Sequence, residues 1–216
     1  MRLVSALFLS FGLLLGLNSC IQHEVVPPPV NTIDLNATFV GYVNGTQIEL
    51  TQNVLNFKGD ADKVPYIYAS PVLSKMLYRS EMRSNSDARG IRLTFGALDW
   101  DASANNEPTL TMFNDFHSSS SGIAIPFKDY ATLVNTSIDG VQVEYTDQNG
   151  VVWVSREADP GQTATFTTLN QASDNTGDYS IFSCTFSCKV WRINPQTNLD
   201  ESLLITNAKL NCWFRR

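Results

Sequence analysis

His117 stands in the run Asn114-Asp115-Phe116-His117-Ser118, followed by Ser119, Ser120 and Ser121. A hydroxyl, an imidazole and a carboxylate are the parts of an acyl-transfer relay. That relay needs the base held between nucleophile and carboxylate, a geometry that residues in one short run do not generally reach. The second histidine, His23, lies in a different part of the chain. No nucleophile elbow, phosphate-cradling loop, zinc-binding helix or glycine-rich dinucleotide turn occurs. The serine-rich run reads as a polar surface loop, and the chain reads as a non-enzyme without a cofactor.

Asp99, Asp101, Ser103, Asn105 and Glu107 fall at alternate positions, the spacing at which an EF-type loop offers oxygens to calcium. That loop needs Gly at its sixth place and Glu at its twelfth, where this chain has Ala104 and Leu110. A solvated turn explains the residues as well, and no metal is assigned. Cys184 and Cys188 share one strand face about 13 Å apart, too far to bond each other, and Cys-x-x-x-Cys on a strand is not a zinc pattern. Matching the apolar set Phe182, Cys184, Phe186, Cys188 against Phe214, Cys212, Leu210, Ala208 places Cys184 opposite Cys212. The expectation is a Cys184–Cys212 neighbour pair that an oxidising compartment can bridge; the alternative is three buried thiols packing as small apolar groups. Trp153, Trp191 and Trp213 read as lying on the faces opposite those cores, beside Glu144, Lys189 and Lys209. Such rings can stack on sugars; packing under a loop is the favoured explanation.

The elements that must position these residues are mostly strands. Ala37, Phe39, Gly41 and Val43 alternate with Thr38, Val40 and Tyr42, and Asn44-Gly45 then reads as a type I′ hairpin turn into Gln47–Leu50. Val141, Val143 and Tyr145 alternate in the same way before Asn149-Gly150 and Val151–Ser155. A third hairpin joins Tyr179–Ile193 to Ser202–Phe214 through an Asn194–Glu201 loop. Further strands are expected over Val54–Phe57, Tyr66–Ala69, Ile91–Leu98, Thr109–Phe113, Gly122–Ile125 and Thr163–Leu169. One helix is expected after Ser70-Pro71, with Val72, Leu73, Met76 and Leu77 on one face. Short strands with Gly, Asn and Asp turns predict an all-β antiparallel sandwich, jelly-roll-like, with at most one or two short helices. Phe39, Val143, Tyr145, Val152, Val154, Phe182, Phe186 and Phe214 are expected inside.

Composition narrows the partners. Net charge is -6, and 43% of residues are hydrophobic. Neither a basic footprint for nucleic acid nor a polybasic patch for anionic lipid is present. At the N-terminus, Arg2 precedes an apolar stretch from Leu3 to Leu17, shorter than the roughly 20 residues needed to span a bilayer. It ends in Leu17-Asn18-Ser19-Cys20, which resembles the bacterial lipobox. The resemblance implies a signal peptide over 1–19, cleavage before Cys20, and diacylglycerol and fatty acyl chains such as palmitate on that residue. Two or three chains anchor stably, because each buried methylene contributes about 0.8 kcal/mol. Residues 20–34, with Pro27-Pro28-Pro29, read as the lipidated end and a tether, and 35–216 as one sandwich domain.

Phe39-Val40-Gly41-Tyr42-Val43-Asn44-Gly45, Val143-Glu144-Tyr145-Thr146 with Asn149-Gly150, and Cys184-Thr185-Phe186-Ser187 with Ile205-Thr206-Asn207 resemble a group of Bacteroidetes lipoproteins of unknown function. That group implies a compact β-sandwich and an envelope location, and no activity. Ala208 stands where Gly commonly follows in that pattern, and Cys184, Cys188 and Cys212 fall outside it. The function expected is a membrane-anchored lipoprotein with a non-enzymatic binding or assembly domain. The alternative is a carbohydrate-binding accessory module. Partners expected are the membrane through its lipid, and an envelope protein or a glycan. Cys20-Ile21-Gln22-His23-Glu24 lacks an acidic export-like cluster, which favours the periplasmic side of the outer membrane over the cell surface.

Overall fold

The computed structural model describes residues 32–130, 140–159 and 161–216. Cys20, the expected signal peptide and residues 20–31 of the expected tether lie outside the described residues.

Among the described residues, eleven strands and one helix follow in order: β1 (Thr38–Val43), β2 (Thr46–Thr51), β3 (Phe57–Tyr66), β4 (Ser74–Ser84), β5 (Gly90–Trp100), α1 (Leu110–Ser119), β6 (Ala124–Pro126), β7 (Gly140–Thr146), β8 (Val152–Ser155), β9 (Thr163–Asp174), β10 (Gly177–Ile193) and β11 (Asp200–Arg215). They form an antiparallel, open sheet in the order β2-β1-β11-β10-β8-β7-β5-β4-β3, with β9 paired to β10 and β6 paired to β9. The sheet folds over so that β11 lies against β3 and β4, giving a sandwich-like all-β fold. β10 makes the turn possible by changing partner. It pairs with β9 through Phe186 and with β8 at Val190 and Trp191.

The core fills from alternating positions, as period-two strands require. Phe39, Val143, Tyr145, Phe182, Phe186 and Phe214 are all buried. Val152 and Val154 are not: Val152 is 47% exposed, and Trp153 and Ser155 take the inward places on β8. The cause is the turn. A two-residue Asn149-Gly150 loop would set Tyr145 opposite Val154. Instead Gly150 N–H donates to the Asp147 carbonyl, Asp147 N–H donates to the Val151 carbonyl, and Gly150 adopts φ 76°. This is a type I turn with a G1 bulge, whose extra residue puts Tyr145 opposite Trp153 and turns β8 over. At Asn44-Gly45 the two-residue turn forms as expected, with φ of 47° and 81°.

Two other local expectations exchange places. The segment after Ser70-Pro71 is β4, not a helix: Met76, Tyr78, Ser80 and Met82 face the core, while Leu77 packs on the opposite face with Ala97 and Tyr130. Burial on both faces hides the alternation that marks a strand. Conversely, Thr109–Phe113 opens α1. The Thr109 hydroxyl caps it by accepting the Met112 N–H at 3.2 Å, and Phe113 and His117, one turn apart, are buried. The expected strands at Val54–Phe57 and Tyr66–Ala69 meet the observed strand only at Phe57 and Tyr66, the two ends of β3; Val54–Asn56 are turn and Ile67–Ala69 loop, and the middle of β3 carries Lys58, Asp60, Asp62 and Lys63. Charges and Pro65 suit β3 to the sheet edge it occupies.

The expected boundary at residue 35 also moves. Ile33 N–H donates to Asp174 at 2.9 Å, and Ile33 and Leu35 pack against the core. That bond, with those of Thr176 and Gly177, holds the Asp174 carboxyl down at about 2.

Candidate functional site

The residues singled out for chemistry do not converge. His117 is wholly buried: its Nδ1 lies 2.8 Å from the Phe113 carbonyl, and its Nε2 has no hydrogen-bond partner. Ser118, Ser119 and Ser120 turn their hydroxyls onto helix carbonyls of Asp115 and Phe116. Among the described residues no hydroxyl or thiol is hydrogen-bonded to the imidazole. In the acidic run, Asp99 pairs with Lys75 at 2.7 Å, Asp101 accepts from Ser103, and Glu107 is shared by Lys63 and Arg216. These oxygens are aimed at separate partners, and among the described residues no group of three or more His, Cys, Asp or Glu gathers as metal ligands.

The cysteine register is corrected by two residues. Cys184 stands opposite Leu210, and Cys212 stands opposite Phe182. All three thiols are free and buried. The inward faces were assigned correctly, but facing inward fixes only the parity of the pairing. A bulge between Phe186 and Cys188, where Asn207 adopts φ 50°, sets the rest.

The three tryptophans separate. Trp213 is 8% exposed and sheltered against Gly59 and Ala37. Trp191 is half-buried, donating its indole N–H to Asp159 at 2.6 Å with Arg156 over its ring. Trp153, expected outside, is inside. Its ring lies under the Arg192 guanidinium at 4.6 Å, and Arg192 is held in turn by Glu201 at 2.7 Å.

Trp153 nevertheless lines a place where an apolar floor and convergent polar groups meet. The β1–β2 tip, the β7–β8 tip and Arg89 of the β4–β5 turn enclose a cleft of about 290 Å³. Val43, Tyr145 and Trp153 form its floor, with Ile48 and Leu203 half-buried on its walls. Asp147, Gln148, Asn149, Asn44 and Arg89 supply the polar rim. Asp147 is fixed there: its Oδ1 accepts from Asn149 and Val151 N–H at 2.8 and 3.0 Å, and its Oδ2 accepts the Trp153 indole N–H at 3.1 Å. Burial pushes the Asp147 carboxyl up, but these donors outweigh it and hold the group ionised below its ordinary value. Burial, and then the Asp147 charge, push the Tyr145 phenol the other way. Arg89 is held by both oxygens of Asp87, at 3.0 and 2.5 Å. Fixed polar groups over an apolar floor are the ordinary makings of a ligand site. Sequence reading missed Arg89 and Asp147 in this role, and only the Asp-x-Asn-Gly turn pattern hinted at Asp147.

Compared with known protein families, curated proteins and solved structures, the chain finds no match.

Proposed function

We propose that this protein is a membrane-anchored lipoprotein of the cell envelope, held through lipid on Cys20, whose β-sandwich is a non-enzymatic binding or assembly domain. The observation that supports the binding part is the cleft between the two Asn-Gly hairpin tips. On its polar rim Asp147, Arg89 and Asn44 are held by internal bonds before any ligand arrives, so binding there does not carry the full cost of ordering those groups. Anchorage rests on the Leu17-Asn18-Ser19-Cys20 pattern. Among the described residues no helix is long and apolar enough to cross a membrane. Substituting Cys20→Ala should block processing and fatty-acid labelling of the protein. Normal labelling in that variant would overturn the anchor.

The carbohydrate-binding reading now falls to the cleft rather than to an exposed tryptophan face. Sugar recognition uses an aromatic ring beside amide, carboxylate and guanidinium groups, and the cleft sets Tyr145 and Trp153 beside Asp147, Gln148, Asn149 and Arg89. A glycan array probed with the protein and with its Gln148→Ala and Arg89→Ala variants separates the two readings. Glycan binding lost in both variants selects the carbohydrate module, and a blank array leaves the protein-assembly reading.

A further inference from the structure

The β3–β4 hairpin ends in an uncharged, apolar surface. From Val64 to Ser74 the chain carries no charged side chain. Within it Ile67 is 68% exposed, Val72 49% and Leu73 48%, with Tyr66 and Tyr68 half-buried beside them. Exposed apolar residues on the strands stand beside charged partners, as Val40 does between Glu49 and Lys209 and Leu204 beside Lys189, and need no explanation. Here three large aliphatic groups share one loop, shaped by Tyr68 N–H donating to the Ser74 hydroxyl and Val72 N–H donating to the Ala69 carbonyl. The flanking lysines do not make the surface cationic: Lys63 is paired with Glu107 and Lys75 with Asp99.

A chain of contacts fixes where this tip lies. Ile33, where the described chain begins to dock, is fastened to Asp174 in the β9–β10 turn. In the same turn region, Asp178 binds Arg216 at 2.7 Å, Arg216 reaches Glu107 at 3.2 Å, and Glu107 also binds Lys63. β3 continues past Lys63 to Tyr66 and the apolar tip. The tip therefore lies at the end of the domain where the chain enters from residue 32. The cleft belongs to the other end, among the Asn44-Gly45 and Asn149-Gly150 turns. Cys20 and Ile33 are 13 positions apart, a reach of at most about 45 Å.

We propose that Ile67–Leu73 is a lipid-contacting tip that seats the entry end of the domain on a bilayer surface and points the cleft away from it. An uncharged apolar loop flanked by tyrosines matches the boundary between headgroups and acyl chains, where amphipathic rings and aliphatic groups partition. The proposal rests on the anchored reading for the presence of a bilayer, and on the tip's own chemistry for the contact.

The test uses the full chain as its host processes it, mixed with vesicles of phosphatidylethanolamine and phosphatidylglycerol. An environment-sensitive fluorophore is placed through Ile67→Cys or, as a control, Asn149→Cys; the native described thiols are buried and stay silent. The expected result is co-flotation, with the label at 67 blue-shifted and quenched several-fold more by brominated lipid than the label at 149. A triple Ile67→Asn, Val72→Asn, Leu73→Asn variant, labelled through Ala69→Cys, should lose that quenching while keeping its unfolding midpoint. Flotation with both labels equally in water overturns the tip contact and leaves the anchor standing. If the protein does not float, the anchor reading fails. Titrating the labelled protein with added vesicles then decides the tip, a blue shift at 67 supporting it and an unchanged spectrum overturning it.

Discussion

Trp153 donates its indole N–H to Asp147 across the β7–β8 turn at 3.1 Å, and the other oxygen of the same carboxylate accepts two turn N–H groups. One side chain thus closes the turn, sets the inward face of β8 and forms part of the cleft rim. Replacing Asp147 with Ala leaves those donors without their partner. The expected loss is about 1–3 kcal/mol, the penalty for orphaning partly buried polar groups. Urea unfolding followed by tryptophan fluorescence measures it, and Asp147→Asn, which keeps an acceptor oxygen, should recover part of it. A midpoint unchanged in the Ala variant would show that the turn does not depend on this residue.

The same turn shows how far the sequence could be read. Alternation identified the inward residues of β1, β7, β10 and β11 because those strands bury one face over most of their length; it missed Trp213, which is buried on the other face of β11. It failed for β8, where Asn149-Gly150 is compatible with two turn geometries that differ by one residue, and one residue reverses every side chain. It failed for β4 because Leu77 and Met76 are buried on opposite faces, which imitates helical spacing. Helix α1 was legible only through Thr109 as a cap and the Phe113-His117 spacing, against a run of β-favouring threonines. The cleft was not legible. Its parts come from three turns brought together by the folding of the sheet, and no local pattern records that.

Gly59 is needed for close approach. A Cβ there would come within 2.7 Å of both the Ala37 Cβ and the Trp213 Cζ3, closer than side chains pack. Gly59→Ala should therefore destabilise the domain by about 1–3 kcal/mol through overpacking. Adding Trp213→Leu, which removes the clashing ring but leaves the Ala37 contact, should recover part of that loss in a double-mutant cycle. Additive effects of the two substitutions would argue against a direct contact.

The three cysteines should behave as apolar residues. Burial pushes the Cys188 thiol up to about 12 and the Cys212 thiol up to about 11, and raises Cys184 as well. Thiolate is the reactive form, so a thiol-specific reagent at neutral pH should modify none of them until the protein unfolds. Peptide mapping without reductant should recover Cys184, Cys188 and Cys212 as free thiols. A Cys184–Cys212 peptide would mean that β10 and β11 can reach the register two residues away.

His117 should make the domain sensitive to acid. Its ring is enclosed by Tyr78, Phe95, Phe113, Phe116 and Phe214, with centroids between 4.3 and 5.7 Å. Two charged groups, Glu107 and Arg216, act on Tyr78 of this cage and are paired with each other. With Nδ1–H donating to the Phe113 carbonyl, Nε2 is a bare acceptor, and protonation would place a second N–H where no acceptor waits. Burial accordingly lowers this group from 6.5 to about 3. The unfolded chain binds the proton below about pH 6.5 and the folded one only near pH 3, so stability falls as pH falls through that window. At about 1.4 kcal/mol per pH unit the full effect is about 5 kcal/mol, and it is absent above pH 7. Carboxylates also titrate at the acid end, so the comparison must be with His117→Phe, which keeps the ring and every carboxylate. The stability of the native protein minus that of the variant should be flat above pH 7 and decline steadily below 6.5. A difference that does not change with pH would mean that His117 is not held neutral in the folded core.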